Sequence, residues 1–316
     1  MRSRVKLSAL VVIALGLMTV FMVIKAGGIW EYVLPRRGIK LLAIVVTGAA
    51  IGFSTLVFQT VTNNRILTPS IIGLDALYLL VQTVIVFGFG SATLTMMDSY
   101  FQFILSVGCM VLFALGLYQI FFKREGNNIY FLLLVGIVFG TLFGSLSTFM
   151  QVLIDPNEFM VVQDRMFASF NNVNTDLLNI ALIIFALVFV YCMRYVKYLD
   201  VISLGKEHAL NLGIPYDAIV KKLLIAIAIL ISVATALVGP ITFLGLLVVN
   251  VTYEFFRSYK HSVLIPGSIL ISIIALVGGQ MIVERVFTFS TTLSVIINLV
   301  GGVYFLYLIL RENKSW

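Results

Sequence analysis

Charge is what this chain has least of. Charged residues make up 11% of its 316 residues, and histidine and cysteine occur twice each. So few ionisable side chains leave little from which to build a metal centre or an acid–base pair. His208 and His261 stand in separate polar stretches, and no HExxH, GxSxG or paired-cysteine spacing occurs. Both histidines are expected to be solvated loop residues. Cys109 and Cys192 fall in different apolar runs with no spacing that suggests pairing, so they read as small core residues. The GxxxxGK[ST] phosphate loop is also missing, which argues against ATP hydrolysis by this chain itself. No catalytic residue, metal ligand or cofactor is expected. Pro-rich and Ser-rich linkers, low-complexity tracts and a clear internal repeat are lacking too, so residues 1–316 read as a single transmembrane domain.

What is present is apolar. Hydrophobic residues are 61% of the chain and mean hydropathy is +1.10. Runs approaching spanning length recur at about 7–24, 39–61, 71–89, 100–122, 129–153, 177–193, 223–238, 241–251, 264–283 and 293–310. The fold class is therefore all-α, a polytopic membrane protein of about ten transmembrane helices, with the eighth stretch short for a full crossing. The first run follows Arg2, Arg4 and Lys6 like a leader, but no clear small-x-small site follows it, and it is read as a span.

Ten spans place both termini on one side, and Lys and Arg identify that side. Cytosolic termini leave only Lys25, Arg36, Arg37, Lys40, Arg165 and Arg285 outside, six of the 21 basic residues. The bias accounts for the net charge of +7 without nucleic acid. An ion-driven carrier would need ionisable groups along its path, yet nearly all charges fall at span ends. Asp75, near the start of the third stretch, is the one possible exception. No buried charge pair is evident, which favours a subunit driven by a partner.

Three features stand out from this background. Ser203 to Pro215, SLGKEHALNLGIP, lies within a polar loop at about 200–218 between long apolar spans, where it would be cytosolic. Ser203 reads as an N-cap, Gly213 as a left-handed stop and Pro215 as a block, predicting a short helix over about 204–212. Glu207 would lie in its first turns, and Leu204, Ala209 and Leu212, flanked by Gly205, would seat against a partner or the membrane body. An ordinary amphipathic connector is the other reading. Secondly, Gly136, Gly140, Gly144 and Thr148 recur every four residues and line one helical face, as close helix packing or a transport path would require. Thirdly, Arg36, Arg37 and Arg285 lie near outer span ends, where they serve either as interfacial anchors or as forks for a partner's carboxylates.

Leu34-Pro35-Arg36, then VTGAAIGFSTLVFQTVTNNRILTPSIIGLDALY over 46–78, resembles the LPR, Gly-Ala-Ala and Q…NP…P…LG pattern of the iron-siderophore and cobalamin ABC importer permeases. SLGKEHALNLGIP looks like that family's cytosolic LG…A…LG loop. GPITFLGLLVVNVTYEFFRSYKHSVLIPG, over 239–267, is similar to its G.I.F.GL..PH…R…LPG block. The resemblance implies a ten-helix, type II ABC importer permease that pairs with a second permease, binds a cytosolic ATPase dimer and accepts cargo from an extracytoplasmic binding protein. The implied cargo is an iron-siderophore, with cobalamin or haem in the same class. It further implies that Leu204, Gly205, Glu207, Ala209, Leu212 and Gly213 belong to the ATPase-coupling segment. By the same resemblance Arg36, Arg37 and Arg285 meet the binding protein, and the fifth span lies near the path. Val33 replaces the first Arg of the family's RLPR, Val249 and Asn250 replace its Pro-His, and Ser290 and Ser294 fall about where its Glu and Gly occur. Such losses imply a non-identical partner permease that keeps the usual residues.

Overall fold

The computed structural model describes residues 2–24, 30–123, 129–171, 173–289 and 291–312. Lys25 and Ser290 lie outside the described residues. Among those described, the regular structure is fourteen α-helices and one 3₁₀ turn. They are α1 (Arg2–Val23), α2 (Trp30–Thr62), the 3₁₀ turn (Pro69–Ile72), α3 (Leu74–Phe89), α4 (Ser91–Met96), α5 (Ser99–Lys123), α6 (Ile129–Leu153) and α7 (Pro156–Arg165). Then come α8 (Thr175–Met193), α9 (Val196–Ile202), α10 (Lys206–Asn211), α11 (Tyr216–Val238), α12 (Leu244–Phe256), α13 (His261–Arg285) and α14 (Leu293–Glu312). Seven are long and apolar enough to cross a membrane, and α3, α12 and α14 are shorter apolar helices. Together they account for the ten apolar stretches. "Inner" and "outer" below follow the orientation expected from charge.

Apolar sequence alone does not say which helices are central, but burial does. In α2, 83% of the most apolar window is buried, against 17% in α1 and in α8. The axis of the bundle is α2, α11 and α13; α1, α6 and α8 turn broad apolar faces outward, as lipid contact or another subunit requires. Close packing of α2 on α13 depends on small residues, because lipid tails supply no hydrophobic drive between helices. A Cβ on Gly52 would stand 2.9 Å from the Ser268 carbonyl oxygen, and one on Gly48 would meet Leu276 at 3.1 Å.

Two element boundaries differ from the sequence expectation. Helix α2 begins at Trp30, nine residues before its apolar stretch, so the Leu34-Pro35-Arg36 motif is helical. Pro35 is tolerated near the N-terminal end, where the missing N–H removes a single ladder bond. Helix α3 starts only at Leu74: Pro69 opens the 3₁₀ turn, and Gly73, at φ +91°, breaks it and caps α3.

That break lies deep in the bundle. Gly73 packs on Gly140, Thr83 shares a 2.8 Å hydroxyl contact with Ser147, and Ile85 and Val86 cluster with Ile154. Helix α3 therefore runs parallel to α6 but starts about 16 Å along it. Residues 63–73 climb from the inner end of α2 to this point without a continuous helix. Irregular backbone is tolerated at such depth only when protein satisfies it. Here Asn64 N–H donates to Gln59 O at 3.1 Å, Ile66 N–H to Asn64 Oδ1 at 2.9 Å, and Asn250 Nδ2 to Arg65 O at 3.1 Å. Asp75, in the first turn of α3 where the helix dipole favours a carboxylate, accepts long hydroxyl bonds from Thr235 and Thr242 at 3.4 and 3.5 Å.

Candidate functional site

At the inner end, α9, α10 and the start of α11 form one polar shelf. Its helix is shorter than the sequence suggests: α10 spans Lys206–Asn211, and Gly205, at φ +101°, is its N-cap. Ser203 is not that cap. It ends α9, and its hydroxyl donates to Asp200 O at 2.8 Å, a local bond that competes with starting a new helix. The predicted stop is where it was expected. Gly213 adopts φ +77°, its N–H donates to Leu210 O at 2.9 Å, and Ile214 N–H donates to Ala209 O at 3.0 Å, which is a Schellman closure. Ala209 is fully buried and seats the helix on the bundle. Leu204, Leu210 and Leu212 stay 59%, 48% and 64% exposed, and Glu207 and His208 are also exposed. The segment thus presents an apolar patch beside polar residues on the inner surface, steadied by an exposed Lys206–Asp217 pair at 3.1 Å.

His261 is not a solvated loop residue. Its ring is buried, with Nδ1 2.7 Å from Asp200 Oδ1 and Nε2 2.7 Å from Thr60 Oγ1. The same Asp200 oxygen accepts from the His261 backbone N–H at 2.7 Å and so caps the start of α13. One carboxylate therefore joins α9, which leads into α10, to α13 and, through the imidazole, to the end of α2. In sequence His261 follows Arg257, Ser258 and Lys260; only the fold brings Asp200 and Thr60 over it.

The outer end carries a second set of polar contacts, and one is a part-buried charge pair that the sequence did not lead us to expect. Lys40 Nζ lies 2.7 Å from Glu284 Oε1, with the two side chains 16% and 8% exposed. Lys40 also donates to Asn171 Oδ1 at 3.0 Å, and Gln280 Nε2 donates to Glu284 Oε1 and Asn171 Oδ1 at 3.0 and 3.2 Å. The pair sits in the last turn of α13, at a span end, and so does not form a relay through the bundle.

Of the three candidate docking arginines, two face inward. Arg37 Nη1 donates to the carbonyls of Phe21, Met22 and Ile24 at 3.1, 2.9 and 2.8 Å, and Arg285 Nη2 reaches Ile24 O at 2.8 Å. They cover the unpaired carbonyls that end α1. Arg36 is exposed, its guanidinium 4.3 Å from the ring centre of Tyr32.

The small-residue face of α6 divides. Gly136 and Gly140 pack against Ile72 and Gly73, whereas Gly144 has open space and Thr148 is exposed. Val249 and Asn250 are both buried, and the Asn250 amide holds the Arg65 carbonyl of the climbing segment. Ser294 is buried too, and its hydroxyl accepts from Ala168 N–H at 3.1 Å. Cys109 and Cys192 are free, as expected. Sequence reasoning missed Thr60, Asp200, Lys40 and Glu284, since each is an ordinary residue at the edge of an apolar stretch or polar loop until its partner arrives from a distant helix.

This helical arrangement has a counterpart of known structure. It superimposes on a metal-chelate type ABC transporter solved in an inward-facing conformation, with a TM-score of 0.84 over 98% of this chain and 99% of that one, at 19% identity. The FecCD transport family matches residues 6–311. The chain belongs to the FecCD transport family. Within it, the chain is 65% identical to the petrobactin import system permease protein YclO of Bacillus subtilis (strain 168), over the full length of both. It is 36% identical to the petrobactin import system permease protein FatC of Bacillus anthracis, over 89% of this chain and 79% of that protein. Family membership and the apolar spans make it a multi-pass membrane transport permease.

Proposed function

We propose that the cargo is an iron-siderophore of the petrobactin type, carried across the cytoplasmic membrane by an ATP-driven importer of which this chain is one permease subunit. The observation that carries the reading is full-length identity of 65% to a petrobactin import permease. The chain acts as a single transmembrane domain with both termini cytosolic, and it pairs with a second, non-identical permease. ATP is hydrolysed by a separate ATPase dimer that grips the coupling segment of the inner shelf through exposed Leu204, Glu207 and Leu212, while buried Ala209 seats the helix and Gly205 and Gly213 shape its ends. Exposed Leu204, Leu210 and Leu212 support this, because an apolar patch on a polar cytosolic surface marks a contact. An extracytoplasmic binding protein delivers the cargo. Arg36, the exposed outer arginine, meets its carboxylates, while Arg37 and Arg285 shape the surface around it. The open end of the α6 face, Gly144 and Thr148, borders the path between the permeases, and Gly136 and Gly140 fix the helix that borders it.

The test is uptake of radiolabelled iron-petrobactin by proteoliposomes holding the purified complex, with loaded binding protein outside and ATP inside. Uptake that requires ATP, the binding protein and this chain is expected. Uptake that persists without ATP would overturn the reading.

A further inference from the structure

The two sets of polar contacts lie at opposite ends of the same pair of helices. Thr60 and His261 join α2 to α13 at the inner end, 2.7 Å apart, and Lys40 and Glu284 join them again at the outer end, also at 2.7 Å. From His261 to Glu284 along α13 is about 35 Å, the thickness of the bundle. Between the pins there is little room to slide, because Gly48 and Gly52 bring the α2 backbone onto Ser268, Ser272 and Leu276. Each end also adjoins a candidate contact surface. Asp200, bonded to His261, stands on the helix that leads into the coupling shelf, and Glu284 precedes Arg285 while Lys40 lies one turn beyond Arg37 on the same helix.

An ion pair drawn part-way out of water, as Lys40–Glu284 is, is seldom the most stabilising way to hold two helices, since well-packed apolar residues do as well or better. What it adds is registry: charge partners and their hydrogen bonds fix one axial alignment. We propose that α2 and α13 form a rigid strut, pinned by Thr60–His261–Asp200 at the inner end and by Lys40–Glu284 at the outer end. In this strut Lys40 and Glu284 act as positioning residues for stimulation of ATP hydrolysis by a docked binding protein. The strut rests on the importer reading above. Displacement at the outer surface moves both helices as one body, and Asp200 carries that movement to α9 and α10.

The experiment uses the whole importer in nanodiscs, with Lys40→Glu, Glu284→Lys and the double exchange. Basal ATPase rate, binding-protein affinity and stimulated ATPase rate are measured for each. In the single variants two like charges meet, and stimulation should fall by about fivefold or more, the scale of an ordinary coupling between sites. Basal rate and affinity should stay within about twofold. The double exchange restores opposite charges on the same helices and should recover stimulation, which loss of general stability would not do. Where a single reversal prevents assembly, Lys40→Gln and Glu284→Gln keep a polar side chain and remove the charge; partial loss of stimulation is then expected. Intact stimulation in the single variants overturns the strut, and so does a loss that the exchange fails to rescue. A wild-type complex that no binding protein stimulates overturns the importer reading, and the strut with it.

Discussion

Gly136 lies so close to Ile72 that a Cβ built on the glycine would stand 2.8 Å from the Ile72 Cα. The contact is with backbone, which cannot rotate aside. Gly136→Ala should therefore destabilise the protein by about 1–3 kcal/mol through overpacking. Gly144→Ala meets nothing within 4 Å and should be neutral or slightly stabilising. Thermal unfolding in detergent separates the two. Equal effects would mean that the small-residue face is not divided as described.

The inner shelf makes a separable prediction, because its apolar side chains point away from the fold. Leu204→Glu and Leu212→Glu should change stability by less than about 0.5 kcal/mol, as exposed substitutions do. They should abolish assembly with the ATPase, read by copurification of the complex. Glu207→Arg, also exposed, should lower cargo-stimulated ATPase activity with membrane insertion unaffected. Gly213→Pro is harsher: Gly213 sits at φ +77° and proline is confined near −65°, so the closure of α10 should be lost with coupling. Normal assembly and stimulation in all four would remove the shelf from the coupling path.

The outer arginines should part company when mutated. Arg37→Ala removes the donor from the Phe21 and Met22 carbonyls, leaving Ile24 O to Arg285, and should cost about 1–3 kcal/mol of stability, with little direct effect on docking. Arg36→Glu removes only a surface stack on Tyr32 and should leave stability nearly unchanged. It should weaken binding-protein affinity, and more so at low than at high ionic strength, since screening acts on exposed pairs first. Titration of the binding protein at two salt concentrations distinguishes the roles.

Asn250 bears on the partner permease. Its amide donates both to Leu246 O within α12 and to Arg65 O on the climbing segment, so this position is committed to holding its own subunit together. On the proposal of a non-identical partner, that chain should keep the Pro-His that Val249 and Asn250 replace here. Affinity purification followed by mass spectrometry should return a second FecCD-type permease in equal amount. Recovery of this chain alone with its ATPases would refute the prediction.

Much of this was written locally in the chain. Apolar runs long enough to span as helices, separated by short polar links, dictate a helical membrane protein, because a run of that length in lipid satisfies its backbone within itself only as a helix. Gly213 followed by Pro215 marked the end of α10 because a left-handed glycine and a proline act within a turn of themselves. Asp75 was visible as the one acid set inside an apolar run.

Other features are decided only when helices meet. A run of apolar residues reads the same facing lipid or core, so the centrality of α2 and α13 had no signature beyond their hydropathy. Serine can cap a new helix or bond back to the old one, and Ser203 bonds back because Asp200 O is within reach. His261 reads as solvated from its neighbours and is buried by helices more than 50 residues away in sequence, while Lys40 and Glu284 are 244 residues apart. Sequence determined that this chain crosses the membrane many times and which turns it makes. Tertiary structure decided which polar groups find one another, since a charge in this bundle is tolerable only beside a partner that local sequence does not contain.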